Sequence, residues 1–256
     1  HSYLVCFTSN GKAYKTKVFN IHEESRTSKG VSISNILKLD DQERVTTAIV
    51  VDNFDTDNYF LMTTRKGVVK RVRISDFKNM RTNGIIAIAL DEEDELRWVE
   101  KTNGQQHVLL VSKDGMIIRF SEDQARPLSR LARGVRGMRL KAGDQIVDSS
   151  VMEMDNEKQF LLLMTASGTG KRTRLIDYRL QKRAGLGLRG IKLKAKDHLA
   201  GGKIVEKTDE LIIVTEKGTV SRQKVESISL QGRSARGVLV QRADQGDKIV
   251  GFAKIL

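Results

Sequence analysis

One cysteine, one proline and an aromatic content of 5% are what this 256-residue chain has least of. A single thiol, Cys6, excludes an internal disulfide and a thiolate zinc site. A chain of this size without disulfides fits a reducing cytosol. Cys6 lies in an apolar run and reads as a small buried side chain, not a reactive thiol. The longest apolar runs, residues 85–90 and 160–164, fall far short of the roughly 20 residues a membrane-spanning helix needs, so the expectation is a soluble protein with no membrane partner. The chain opens without an initiator Met or an apolar leader, which reads as a fragment with no secretory signal. Four histidines (His1, His22, His107, His198) are scattered without metal-ligand spacing and read as ordinary surface or loop residues. Few aromatics also leave no platform for stacking single-stranded bases.

What is present is a repeat. Residues 3–11, 59–67, 108–115, 160–168 and 211–218 each run from apolar, β-forming residues into a polar turn that ends in Gly11, Gly67, Gly115, Gly168 or Gly218. Gly supplies the positive φ of a tight hairpin turn, so each copy opens with a β-hairpin. A second glycine follows at offsets of 19, 17, 19, 19 and 19 residues (Gly30, Gly84, Gly134, Gly187, Gly237), and ten residues beyond each stands Asp40, Asp94, Asp144, Asp197 or Asp247. A last strand-like run follows each Asp, giving roughly four short strands in about 50 residues, the dimension of a propeller blade. The alternation and frequent Gly turns exclude a helical solenoid. The predicted fold is all-β, one domain over 1–256 with repeats near 3–51, 58–102, 107–152, 159–207 and 210–256. Polar stretches 52–58, 101–106 and 155–158 read as connections between blades, and Pro127 as outside any central strand.

The charge is one-sided: 45 Lys+Arg against 32 Asp+Glu, a formal net charge of +13, which points to a polyanionic partner, nucleic acid first. Its placement follows the repeat. Four residues after each first Gly stand Lys15, Arg71, Arg119, Arg172 and Arg222; two further on stand Lys17, Arg73, Ser121, Arg174 and Lys224. Residues two apart in a strand share a face, so these predict a basic ladder turned to solvent. The loop before each second Gly adds Arg26 and Lys29, Arg130 and Arg133, Lys182 and Arg183, and Arg233 and Arg236, with Lys78 and Arg81 as a weaker second copy. Lys70, Arg136 and Arg189, beside these positions, complete the candidate DNA-binding set. Gly in an R-x-x-[RK]-G loop lets the backbone turn sharply while both cations splay toward successive phosphates, and freed N–H groups can reach phosphate oxygens. Reversing Arg172 and Arg174 to Glu is expected to weaken DNA binding with the fold intact.

Enzyme signatures are missing. Gly185, Gly187 and Gly190 match G-x-G-x-x-G, but that fingerprint needs a βαβ unit and Gly187 already belongs to the repeat. Gly168, Gly170 and Lys171 form a hairpin turn, not a phosphate loop, and the acidic run around Asp94 reads as a turn instead of a Mg²⁺ site. No catalytic residue, metal or cofactor is expected.

With the blades and R-x-x-[RK]-G loops in place, the sequence resembles the C-terminal domain of the bacterial DNA gyrase A protein over its whole length. The carriers are the blade opening Tyr3 to Tyr14 and the segment Glu24-Ser-Arg-Thr-Ser-Lys-Gly30. That resemblance implies a β-pinwheel, a propeller-like disk of about five four-stranded blades that exchange strands, or a six-bladed domain lacking its first blade. It also implies sequence-independent wrapping of double-stranded DNA, which supports ATP-dependent negative supercoiling by a holoenzyme. The implied partners are the rest of gyrase A and the gyrase B protein, and the implied setting is bacterial cytoplasm at the nucleoid. The family heptapeptide Q-R-R-G-G-[KR]-G is absent as such; its echoes are residues 181–187 and 231–237. Two alternatives follow: the corresponding domain of the related topoisomerase IV, which wraps less tightly, and a propeller used as a protein-interaction platform. The family's active-site Tyr belongs to another domain, so none of Tyr3, Tyr14, Tyr59 or Tyr178 takes that role.

Overall fold

Each hairpin forms where the repeat places it. The computed structural model describes every residue except His1, His22, Glu24, Arg26, Asp41, residues 154–157 and Leu256. Its strands are β1 (Tyr3–Thr8), β2 (Lys12–Lys17), β3 (Val45–Val51), β4 (Tyr59–Thr64), β5 (Val68–Arg73), β6 (Ile85–Ile86), β7 (Leu96–Thr102), β8 (His107–Ser112), β9 (Met116–Ser121), β10 (Val135–Arg136), β11 (Ile146–Met152), β12 (Gln159–Thr165), β13 (Thr169–Arg174), β14 (Leu188–Arg189), β15 (Leu199–Glu206), β16 (Glu210–Thr215), β17 (Val220–Lys224), β18 (Val238–Leu239) and β19 (Ile249–Ile255). The one α-helix among the described residues is the single turn Ile33–Ile36, and no helix is long and apolar enough to cross a membrane.

The sheet orders β3-β1-β2-β6, β10-β5-β4-β7, β11-β8-β9-β14 and β15-β12-β13-β18 show strand exchange. In each, the outer strand is the short segment after the second Gly of the following repeat. The fifth sheet, β17-β16-β19, has three strands, and the outer edge of β17 pairs with none of the described strands.

The two glycines of each repeat explain themselves. All ten have positive φ, from +66° at Gly30 to +106° at Gly134, a region L-residues with a Cβ avoid. A Cβ on Gly187 would also lie 2.6 Å from the carbonyl oxygen of Ile117, so this glycine lets the returning loop press against β9. The recurrent Asp closes the blade from the other side. The Oδ1 atoms of Asp94, Asp144, Asp197 and Asp247 accept from the hairpin-turn amides of Lys66, Asp114, Ser167 and Lys217 at 2.9 to 3.2 Å, and from their own following amides. Repeat one differs: Glu43 is buried there, accepting from Thr8 Oγ1 at 2.5 Å and Tyr14 OH at 2.7 Å.

The chain divides into two compact units, His1–Gly104 with Ala125–Val135, and Gln105–Gln124 with Arg136–Leu256. In the first, Phe7, Phe60 and Phe77 meet edge to face with centroids 5.0 to 5.9 Å apart, over Val5, Met62, Ile88 and Leu96. In the second, Leu109, Val111, Leu161, Leu163, Tyr178 and Leu199 form one cluster and Leu162, Met164, Leu211, Ile213 and Phe252 another. β8 is buried along its whole length and β12 over its last five residues. Covering on both faces is why these strands read as continuous apolar runs, and each such Leu or Phe contributes about 1.5–3 kcal/mol. Cys6 is buried as expected, and burial pushes its thiol up to about 11. Phe54, in the 52–58 connection, is buried against Tyr3. His107 is also buried, a correction to its reading as a surface residue: it opens β8, opposite Ser121 of β9, and pairs with Arg119.

Candidate nucleic-acid interface

The second strand of each hairpin ends in a 3₁₀ turn (Val18–Asn20, Ile74–Phe77, Glu122–Gln124, Leu175–Asp177, Val225–Ser227) that swings the chain into the cationic loop. In three blades the start of the next loop then runs back along that strand: Pro127 bridges Arg71, with Leu128 N–H on the Arg71 carbonyl at 2.9 Å, Leu230 bridges Arg172, with Gln231 N–H on the Arg172 carbonyl at 2.9 Å, and Gln181 N–H reaches the Arg119 carbonyl at 2.8 Å. This covering segment splits the predicted ladder in two.

Three of the five inner-rung cations do not face solvent. Arg71, Arg119 and Arg172 are buried at 6%, 5% and 7% exposure, which corrects the expectation of an open basic ladder. Arg172 Nε donates to the Ile228 carbonyl at 2.7 Å and its Nη2 to the Glu226 carbonyl at 3.1 Å, with the guanidinium over the Phe160 ring. Arg119 meets His107 Nδ1 at 2.9 Å, and Arg71 lies 4.6 Å over the Tyr59 ring. Lys15 is half-buried, donating to the Lys78 carbonyl between the Tyr3 and Phe54 rings, and burial lowers its pKa. Arg222, where no described strand covers β17, is exposed and paired to Glu210.

The outer rung is open. Lys17, Arg73, Arg174 and Lys224 are exposed at the ends of their strands. The loops divide likewise: Lys29, Arg81, Arg133, Lys182 and Arg236 are exposed, as are Arg136 and Arg189 on the exchanged strands. Arg133 is paired to Asp91. Arg130 and Arg233 are half-buried and reach back to the Ile86 and Arg189 carbonyls at 3.4 and 3.5 Å. Arg183 is committed to the protein, with Nε on the Gln124 carbonyl at 3.0 Å and Nη1 on the Arg136 carbonyl at 3.1 Å. Lys70, predicted as a phosphate contact, has no exposed surface; its Nζ lies among three backbone carbonyls. Arg26 lies outside the described residues.

Sequence reasoning missed two groups. Arg126 and Arg179, both exposed and eleven residues after their hairpin glycines, form a further cationic register beside the loops. Lys171 repeats Lys70 three residues after its glycine and is equally buried. Repeat register was the signal that could have found both. Among the described residues, no group of three or more His, Cys, Asp or Glu is placed to hold a metal ion.

Strand exchange between consecutive β-sheets, with an exposed cation closing the second strand in four of five repeats, defines a protein built of β-blade repeats that each carry cations at the same register. The family model described as DNA gyrase C-terminal domain, beta-propeller, matches residues 2–52, 58–103, 106–151, 159–206 and 209–255, one segment per blade. The chain belongs to that family. It is 38% identical to the DNA gyrase A protein of Synechocystis, covering 100% of this chain and 33% of the relative, and 34% identical to that of Escherichia coli K12, covering 100% and 29%. It thus spans about a third of the length of these relatives. Among solved structures it is similar to the C-terminal domain of DNA topoisomerase IV (TM-score 0.92, 26% identity, covering 99% of this chain and 79% of that one) and to the DNA gyrase A C-terminal domain (TM-score 0.83, 29% identity, covering 100% and 83%).

Proposed function

We propose that this domain binds duplex DNA without reading its sequence, and that it bends and wraps the duplex as the non-catalytic C-terminal part of a gyrase A protein. The observation that carries this reading is the exposed outer rung: Lys17, Arg73, Arg174 and Lys224 recur at one register, each in a repeat whose next loop in sequence is also cationic. Solvation alone does not require one sign at one position in four of five repeats. A duplex held by cations of more than one repeat would be bent; bending 20–30 base pairs by 40–90° costs about 1–6 kcal/mol, which many phosphate contacts offset. Base edges are not read, since neither a recognition helix nor an aromatic platform occurs among the described residues. In the holoenzyme the partners are the remainder of gyrase A and the gyrase B protein, and the catalytic residues lie outside this chain.

The test is topological. A closed circular plasmid is relaxed by a type I topoisomerase with increasing amounts of this protein, stripped of protein, and its linking number read. A protein-dependent shift toward positive supercoils supports chiral wrapping. Binding without a shift favours a second reading, a topoisomerase IV-type domain that bends without tight wrapping, which the TM-score of 0.92 to that domain supports. No binding at low salt overturns both.

A further inference from the structure

In the first four repeats the position three residues after the hairpin glycine touches the loop of the next repeat, and it is filled by three residue types, Tyr14, Ile118 and the lysines Lys70 and Lys171. A Cβ on Gly84 would sit 2.7 Å from the Tyr14 ring, and one on Gly185 would sit 3.5 Å from Ile118. At the same register stand Lys70 and Lys171, neither with any exposed surface. Lys70 Nζ donates to the carbonyls of Ala87 at 2.8 Å, Arg130 at 2.5 Å and Ala132 at 2.8 Å; Lys171 Nζ donates to those of Gly232 at 2.5 Å and Arg233 at 2.6 Å. An ammonium beneath a loop that is itself cationic is electrostatically unfavourable, and the bonds to the loop carbonyls are what offset its burial. Burial first, and then the neighbouring guanidinium of Arg130 or Arg233, bring both lysines down to about 8, with Asp177 opposing this at Lys171. Both are mainly cationic at neutral pH.

The carbonyl contacts show what the charge does. In a planar trans peptide the N–H of the next residue points opposite to the C=O. Carbonyls of Arg130 and Ala132 drawn inward to Lys70 therefore turn the amides of Leu131 and Arg133 away from it. Carbonyls of Gly232 and Arg233 drawn to Lys171 do the same for Arg233 and Ser234. The surface is open at these places: Leu131, Arg133 and Ser234 are exposed. We propose that Lys70 and Lys171 are positioning residues that orient the loops 130–134 and 232–237 so that outward peptide N–H groups, together with the loop arginines, form phosphate-binding subsites. This rests on the nucleic-acid reading above. Outward N–H groups in a turn are an anion cradle, and backbone amides are ordinary phosphate donors in DNA complexes.

Lys171→Met in the 256-residue chain, with a short linear duplex of mixed sequence as probe, tests this. The expected result is a native circular dichroism spectrum and an affinity lower by at least about tenfold, the equivalent of one hydrogen bond to a charged group. The slope of log K against log salt falls by about 1–2 although Lys171 itself cannot reach a phosphate. Arg233→Ala then costs less on the Lys171→Met background than alone, because an unpositioned arginine contributes little. Amide exchange at Ala235 and Gly237 accelerates in Lys171→Met with β12 and β13 unchanged. An unchanged salt slope, or strict additivity with Arg233→Ala, overturns the proposal. If Lys171→Met does not fold, Lys171→Gln and, in the other unit, Lys70→Met carry the same readouts. Wild-type protein that fails to bind duplex sinks the nucleic-acid reading. Unchanged exchange in the loop sinks the lysine clamp even where the duplex binds.

Discussion

Gly218 and Gly237 hold nearly the same backbone angle, φ +88° and +87°, in the same compact unit, yet they differ in what surrounds them. A Cβ at Gly218 meets nothing within 4 Å; one at Gly237 would sit 2.7 Å from the Gly170 carbonyl oxygen and 3.0 Å from its carbon. Alanine at either site carries the left-handed penalty of about 1–2 kcal/mol. At Gly237 the close approach is to backbone, which no rotamer change relieves, and overpacking adds about 1–3 kcal/mol. Gly218→Ala is therefore expected to lose about 1–2 kcal/mol and Gly237→Ala about 2–5 kcal/mol. The difference appears as a Tm gap of about 2–4 °C per kcal/mol for a chain of this size. Exchange of the β12 and β13 amides confines the measurement to this unit, where a whole-chain melt need not be two-state. Relief at Gly237 also has to move β18, which pairs Val238 with Gly170 and Leu239 with Thr169, and with it the loop bearing Arg233 and Arg236. Duplex affinity should fall in Gly237→Ala and not in Gly218→Ala. Equal destabilisation of the two, within about 0.5 kcal/mol, would refute the reasoning that Gly237 is needed for close approach as well as for φ.

Arg172→Ala and Arg174→Ala, two residues apart, should separate cleanly. Arg172→Ala leaves the Ile228 and Glu226 carbonyls without their donor and loses about 1.5–3 kcal/mol per bond, whereas Arg174→Ala keeps stability within about 0.5 kcal/mol and lowers the salt slope by about 1; urea titration and duplex binding at several salt concentrations check both. Charge reversal at Arg172 consequently damages the fold, contrary to what the sequence alone suggested, and only Arg174→Glu is a clean test of the surface. Lys171 makes stability depend on pH with a definite sign. Its folded pKa, about 8, lies below the ordinary 10.5, so between these values the unfolded chain holds a proton the folded chain has released, and stability rises with pH across that window. The rise in urea midpoint from pH 7.5 to 9.5 should be larger in wild type than in Lys171→Met; an equal rise refutes the assignment. Cys6 should resist a disulfide reagent at pH 8 in native protein and react at once after unfolding, since its thiol is buried and pushed up to about 11.

What the residue order determined by itself was the repeat: five hairpins, the φ > 0 glycines at Gly11 and Gly30 and their counterparts, and the recurrent Asp, because turn chemistry is local and leaves its mark at fixed spacing. The blade content and the family followed from that register. The tertiary structure alone decided which cations reach the surface. Arg172 and Arg174 occupy the same face of one strand and are indistinguishable by alternation, yet the segment around Leu230, nearly sixty residues later, lies along the first and stops short of the second. Lys171 shows the same limit from the other side. A lysine in a polar turn reads as solvated, and only the arrival of the Gly232 and Arg233 carbonyls from the next repeat turns it into a buried clamp. Burial of a charge is set by what packs over it, and in a strand-exchanging fold that covering comes from the following blade.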